Sequence, residues 1–238
     1  MKKKIVWVTG ASTGIGREIA KKFAKEDCIV VVSGRRKSRL VSLVGEIKFA
    51  GKEAYAFVSD VSSERSVHNI YKKIREHCGN VDVLINNAGV TVFKSFLETK
   101  IYDFDYLFDI NTRGTFLCTK IVLPQMIKNR YGHIINIISV AANTVFENSS
   151  IYSASKAAVV AMSNVLRKEV RKYNIKITNV FPGPVDTPIW DTKTRQKYRK
   201  RMMQPKDVAE VVYEAYSKSG KNMIEEIYLR PQKGDLEN

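Results

Sequence analysis

Two rhythms of apolar residues alternate along this chain. Short runs rich in β-branched residues occupy positions 5–8, 28–32, 54–58, 81–85, 134–138, 175–180 and 226–229, and their length and composition mark them as buried strands. Between them lie longer stretches whose apolar residues recur every three or four positions, the spacing of one helix face. Ile19, Ala20, Phe23 and Ala24 form the first stripe. Val67, Ile70, Tyr71, Ile74 and Cys78 form another, with Ser62 or Ser63 placed to cap it and Gly79 to stop it. The same periodicity predicts helices over 37–49, 154–170 and 206–216, and a long one over 102–130, in two pieces, with Asn111 and Gly114 in its middle. Positions 140–150 and 181–205 read as loops. This regular alternation predicts an α/β fold: a doubly wound parallel sheet of about seven strands with helices on both faces, in a single domain over 1–238.

Composition narrows the setting. With 238 residues, 44% of them apolar, the chain can bury a substantial core, and no apolar run reaches the about 18 residues that a membrane span needs. The basic start Met1-Lys2-Lys3-Lys4 is followed by an apolar run that stops at Thr9-Gly10, too short for a signal segment, so no export is expected. Cys28, Cys78 and Cys118 are odd in number and widely spaced, which argues against a disulfide framework or a zinc site and fits a reducing cytoplasm. His68, His77 and His133 have no metal-ligand pattern around them. The formal charge of +16 raises nucleic acid as a partner. Most of the basic residues fall on solvated helix faces without aromatic interleaving, however, and neither nucleic acid nor membrane is expected. The densest cluster is Lys193, Arg195, Lys197, Arg199, Lys200 and Arg201.

Candidate chemistry lies just beyond the strand ends, where parallel sheets of this kind bind ligands. Thr9-Gly10-Ala11-Ser12-Thr13-Gly14-Ile15-Gly16 follows the first strand and opens a helix. Glycines there let a pyrophosphate approach main-chain N–H groups at the positive helix end. The second strand ends in Ser33-Gly34-Arg35-Arg36, at the place where a dinucleotide fold reads the adenosine ribose. An acid at that place would accept from the ribose hydroxyls and repel a 2′-phosphate; Arg35 and Arg36 can instead pair with the phosphate, so NADP(H) is the expected cofactor. The plainer alternative is two arginines solvated at a helix start. Further on, Tyr152 and Lys156 stand four apart on a predicted helix, with Ser139 at the end of the strand before it. An ammonium near a phenol favours the phenolate, which would bring Tyr152 towards the range of a usable acid/base. Asn111, inside an apolar helix, serves packing, or holds a water or a backbone bend near the site.

Together these residues resemble the short-chain dehydrogenase/reductase family over essentially the whole chain. Thr9-Gly10-x-x-x-Gly14-Ile15-Gly16 matches the family's cofactor turn, Asp60-Val61 its adenine contact, Asn86-Asn87-Ala88-Gly89 its central-strand motif, and Pro182-Gly183 with Thr187 its nicotinamide-side loop. Asn111, Ser139, Tyr152 and Lys156 match its catalytic positions. The resemblance implies a Rossmann-type sheet, hydride transfer between a nicotinamide and a carbonyl or secondary alcohol, and a dimer or tetramer. It implies a cofactor set of Gly10, Ser12, Thr13, Gly14, Ile15, Gly16, Arg35, Arg36, Asp60, Val61, Asn87, Ala88, Gly89, Tyr152, Lys156, Pro182, Gly183, Val185 and Thr187. In these roles Tyr152 gives the proton, Ser139 bonds the substrate oxygen, Lys156 lowers the phenol's pKa and holds ribose hydroxyls, and Asn111 fixes a water for proton return. A non-catalytic dinucleotide-binding regulator is the alternative, though it would need no such set. The segments 140–150 and 187–204 should wall the substrate pocket, with Phe146, Ile189 and Trp190 as apolar contacts. The cations of 193–201 then either form a basic rim favouring acidic carbonyl compounds or lie on a solvated face that never meets substrate.

Overall fold

Odd and even residues of the first strand go to opposite faces of one sheet. Val6 and Val8 join a core cluster with Ile19, Phe23, Leu43 and Val212, while Ile5 and Trp7 join one with Ile70, Ile74, Val122 and Ile177. That period of two, with both faces apolar, is the mark of a strand covered on both sides. The computed structural model describes residues 3–218 and 222–236, so Met1 and Lys2 of the basic start lie outside the described residues.

The strands are β1 (Ile5–Val8), β2 (Ile29–Gly34), β3 (Ala54–Val58), β4 (Val83–Asn86), β5 (Gly132–Ile137), β6 (Ile175–Pro182) and β7 (Glu226–Leu229). They form one sheet in the order β3-β2-β1-β4-β5-β6-β7, and all six pairings are parallel. The helices are α1 (Gly14–Lys25), α2 (Lys37–Phe49), α3 (Glu64–His77), α4 (Ile101–Leu107), α5 (Gly114–Asn129), α6 (Ser150–Val170), α7 (Thr192–Tyr198) and α8 (Pro205–Ser217). Helices α1, α2 and α8 cover one face, and α3, α5 and α6 the other. Strand order reverses between β1 and β4, which opens the crevice where such sheets bind ligands.

Most predicted elements are present within a residue or two. Ser63 caps α3 by accepting from the Ser66 N–H, and Gly79, at φ +107°, ends it. The helix predicted over 102–130 does come in pieces: α4 and α5 are joined by a π-helical turn, Phe108–Arg113, that contains Asn111. The loop expected over 181–205 requires correction. Asp191 accepts from the N–H groups of Lys193 and Thr194 and so caps α7, which carries much of the basic cluster. Among the described residues no helix is long and apolar enough to cross a membrane.

A polar rung crosses the sheet near its carboxyl edge. Asn86, Asn136 and Asn179 sit in register; Asn86 donates to Asn136 at 2.9 Å and Asn136 to Asn179 at 3.1 Å. Buried amides that bond one another disfavour a one-residue slip, which would leave them unpaired. The rung thereby fixes the relative heights of the β4, β5 and β6 ends, from which Asn87, Ser139 and Gly183 emerge.

Candidate active site

Gly10 turns the chain out of β1 at φ +64°, and a Cβ there would lie 2.7 Å from the Ala88 Cα. Only glycine allows that approach. The loop after β4 grips this turn through Asn87, whose Nδ2 donates to the Thr9 and Gly10 carbonyls at 2.9 and 3.2 Å. The Thr9 hydroxyl accepts from the N–H groups of Asn87 and Ala88 and sits 3.2 Å from the Ile85 carbonyl, to which it donates. Asn87, expected as a cofactor contact, therefore uses both amide hydrogens to shape the turn. On the far side, Thr187 Cγ2 lies 3.0 Å from where a Gly14 Cβ would be, so the loop after β6 closes against the same turn. Gly183 is held there by its N–H bond to the Leu229 carbonyl at 2.7 Å, and Val185 pairs with Met203 in an isolated bridge.

At the end of β2, Arg36 donates to Ser12 Oγ at 2.8 and 3.2 Å and to Thr13 Oγ1 at 3.1 Å. Its pKa is lowered by partial burial and by the nearby charges of Arg39 and Arg35. Cations crowded in this way favour an anion between them. An open pocket of about 380 Å³ lies here, lined by Ser12, Thr13, Arg17, Ser38, Arg39 and Ser42. Arg17 is paired with Glu46, which also accepts from Ser42; the hydroxyls of Ser12, Thr13 and Ser38 with the Arg39 guanidinium fit a phosphate monoester. Ser38 and Arg39 have no motif to announce them; for Arg39 the signal was its spacing of three from Arg36 at the start of α2. Asp60 bonds within its own loop, accepting from the Ser62 N–H and hydroxyl at 3.0 and 2.7 Å, and Val61 is buried against Gly114.

Ser139, Tyr152 and Lys156 converge past the end of β5. The Lys156 ammonium is 6.0 Å from the centre of the Tyr152 ring and donates to the Ile137 carbonyl at 3.2 Å. Burial lowers its pKa to about 8. Burial pushes the Tyr152 phenol up, and a hydrogen bond with Ser139 pulls it down. This corrects the expectation that Lys156 lowers the phenol: in the protein by itself, desolvation of the phenolate outweighs the Ser139 bond. Asn111 is fully engaged as a donor. Its Nδ2 donates to the Val90 carbonyl and to Ser155 Oγ, both at 3.0 Å, and its Oδ1 accepts from the Val90 N–H at 2.9 Å. Ser155 in turn donates to the Tyr152 carbonyl at 2.7 Å. Asn111 thus serves the backbone bend that was one of its expected roles, and Ser155 joins the site as its partner.

The side expected to face the substrate is more aromatic and less basic than its sequence suggests. Phe146 packs against Tyr152 and Ala141, and Trp190 donates its indole N–H to the Val185 carbonyl at 3.1 Å. Ile189 remains 42% exposed. Arg195 and Arg199 both bond the buried Asp186 carboxylate, and they hold it below the usual carboxylate range. Two of the cations assigned to a positive rim are therefore already paired.

Residues 4–198 match the family model of the short chain dehydrogenases. A sepiapterin reductase from Chlorobaculum tepidum is 36% identical, covering 99% of each chain. Among solved structures, an alcohol dehydrogenase from the archaeon Thermococcus sibiricus, complexed with 5-hydroxy-NADP, superposes with a TM-score of 0.91 at 26% identity over 100% of both chains. An actinorhodin polyketide ketoreductase with NADPH gives 0.88 at 30% identity over 96% of each. The chain belongs to the short-chain dehydrogenase family of oxidoreductases, and its seven-stranded parallel sheet is the Rossmann-type fold of that family.

The grip on the glycine turn is directly testable. A Cβ on Gly16 would lie 2.2 Å from Asn87 Nδ2 and 3.0 Å from the Gly10 carbonyl oxygen, so Gly16→Ala must break both Asn87 bonds to the turn. Leaving such groups unpaired costs about 1 to 3 kcal/mol each, more than the about 1 kcal/mol that alanine gains over glycine in a helix. Urea denaturation should show Gly16→Ala less stable than wild type by at least about 1 kcal/mol; an unchanged or higher midpoint would contradict the packing.

Proposed function

We propose that the protein is an NADP(H)-dependent oxidoreductase that interconverts a carbonyl compound and a secondary alcohol, with Tyr152 as the acid/base. The observation that carries this reading is the buried Tyr152 phenol beside Ser139, with the Lys156 ammonium one helical turn on and 6.0 Å from the centre of its ring. The bound cofactor supplies or accepts the hydride. As charge develops on the carbonyl oxygen, the phenol gives it a proton and the Ser139 hydroxyl a hydrogen bond. Lys156, whose charged form burial disfavours, gains from hydroxyl acceptors and is suited to hold the nicotinamide ribose. Asn111 keeps a second lone pair on Oδ1, which could bind the water for proton return. A protein that only bound the dinucleotide would have no use for the three groups together.

For the cofactor itself, the glycine turn from Gly10 to Gly16 would hold the pyrophosphate, Asp60 and Val61 the adenine, and the Ala88–Gly89 and Pro182–Thr187 stretches the nicotinamide side. NADP is favoured over NAD by Arg36 and Arg39 beside Ser12 and Thr13, and by the NADP or NADPH bound to similar structures.

Tyr152→Phe should lower kcat for NADPH-dependent ketone reduction by about 10²-fold or more, while quenching of protein fluorescence shows NADPH binding nearly intact. Retention of most of the activity would remove Tyr152 from the proposed role. Arg36→Leu should lower kcat/KM for NADPH by about 10- to 100-fold, the worth of a charge-assisted bond, and change that for NADH much less. Equal wild-type kinetics with the two cofactors would contradict the phosphate reading.

Assembly is part of the same proposal. Ile101, Tyr102, Phe104, Phe116 and Val165 on α4, α5 and α6 are 41 to 78% exposed, more apolar surface than one helix pair leaves by chance. Pairing through these helices should give light-scattering masses of at least twice the 27.0 kDa chain. A monomer at micromolar concentration is the contrary result.

A further inference from the structure

Tyr152 is flanked by rings. Phe93, on the loop after β4, meets it edge to face, with centroids 5.9 Å apart and planes at 65°. The Phe93 ring also stacks on Trp190, at 5.5 Å and 16°. Neither ring is loosely held. The residue after Phe93 is fixed twice, by the Lys94 N–H bond to the Asn148 carbonyl at 2.8 Å and by the Lys94–Asp103 ion pair at 2.7 Å. Trp190 is tied to Val185 through its indole, and the neighbouring Asp186 is held by two arginines of the segment that follows. Even so, Phe93 keeps 44% of its surface exposed and Trp190 is only half-buried, so ring surface beside the reacting phenol stays open to a ligand. The arginines that would bind an acidic substrate, Arg195 and Arg199, are engaged by Asp186.

We propose that Phe93 and Trp190 form an aromatic wall that makes the enzyme prefer carbonyl compounds bearing a flat conjugated ring next to the carbonyl. This deepens the reading of Tyr152 as the acid/base and rests on it. A flat ring can lie offset or edge-on against these two π systems, at the centroid separations of 4.5–7 Å that aromatic pairs favour. A saturated ring of equal size buries similar area without that interaction. The expected gain for the conjugated ring is about 2- to 12-fold.

The test compares acetophenone with cyclohexyl methyl ketone, which differ in ring saturation and little in size, using NADPH as reductant. Conjugation makes acetophenone the weaker hydride acceptor of the two, so the wall is read as the change in the kcat/KM ratio of acetophenone to the cyclohexyl ketone when a ring is removed. Phe93→Leu and Trp190→Leu, which keep apolar side chains but no ring, should each lower the wild-type ratio by about 2- to 12-fold, and Phe93→Tyr should preserve it. A ratio unchanged in both leucine variants overturns the proposal while leaving the catalytic role of Tyr152 intact. Should neither ketone be reduced, the wall is read by binding. Saturation-transfer NMR should then show stronger contact with acetophenone than with the cyclohexyl ketone in wild type, lost in Phe93→Leu. Equal transfer to both ketones would overturn the wall.

Discussion

The Asn111 side chain joins three parts of the molecule that are distant in sequence. It pairs with both backbone groups of Val90, on the loop after β4, and donates to Ser155 in the first turns of α6. It reaches them because Phe108–Arg113 is wound as a π-turn, which displaces the backbone from the regular path between α4 and α5. The geometry of the candidate site follows from this junction. Val90 leads on to Phe93, and Ser155 is bonded to the Tyr152 carbonyl, so one amide ties together the two segments that bring the Phe93 and Tyr152 rings into contact. Its buried hydrogen bonds would each cost more to lose than they contribute when made, which makes the junction a stiff one.

A second constraint acts at the β1 and β4 ends. The glycine turn is shaped by Asn87 and Thr9 from behind, and Thr187 closes on it from the loop after β6. The two halves of the sheet therefore meet over one short stretch of backbone. Ligand groups placed there would be positioned against elements from both halves, which is the structural basis of binding at a topological switch point. Arg36 extends this arrangement outward by bonding Ser12 and Thr13, linking the turn to the start of α2.

Charge in this protein is deployed more locally than its total implies. The formal balance is +16, yet the arginines nearest the substrate side are held by the buried Asp186, where they anchor α7 to the loop after β6. Among the described residues Arg35, Arg36 and Arg39 make no such ion pair, and partial burial with the neighbouring charges of Arg39 and Arg35 disfavours the charge on Arg36. One basic cluster is structural and the other is suited to an anion. The difference lies in whether a carboxylate is folded into the middle.

Much of the fold and of the candidate site was legible in the residues alone. Apolar spacing gave the strands and helices, because burial against one face imposes a period of 2 or 3.6 whatever the partner is. The glycine turn and the Tyr152/Lys156 pair were visible because each depends on local spacing within one short stretch, and Ser139 because it stands at the end of the strand before them. Other features required the tertiary structure. The role of Asn87 depends on a turn 78 residues away, and the pairing of Asp186 with Arg195 and Arg199 depends on a helix where a loop was expected. The direction of the Tyr152 pKa was misread from the helical spacing, since spacing reveals a neighbouring charge but not the desolvation that opposes it. Phe93 gave no signal in the sequence: its position beside Tyr152 follows from the Lys94–Asn148 contact between two loops, and no periodicity encodes the way two loops meet.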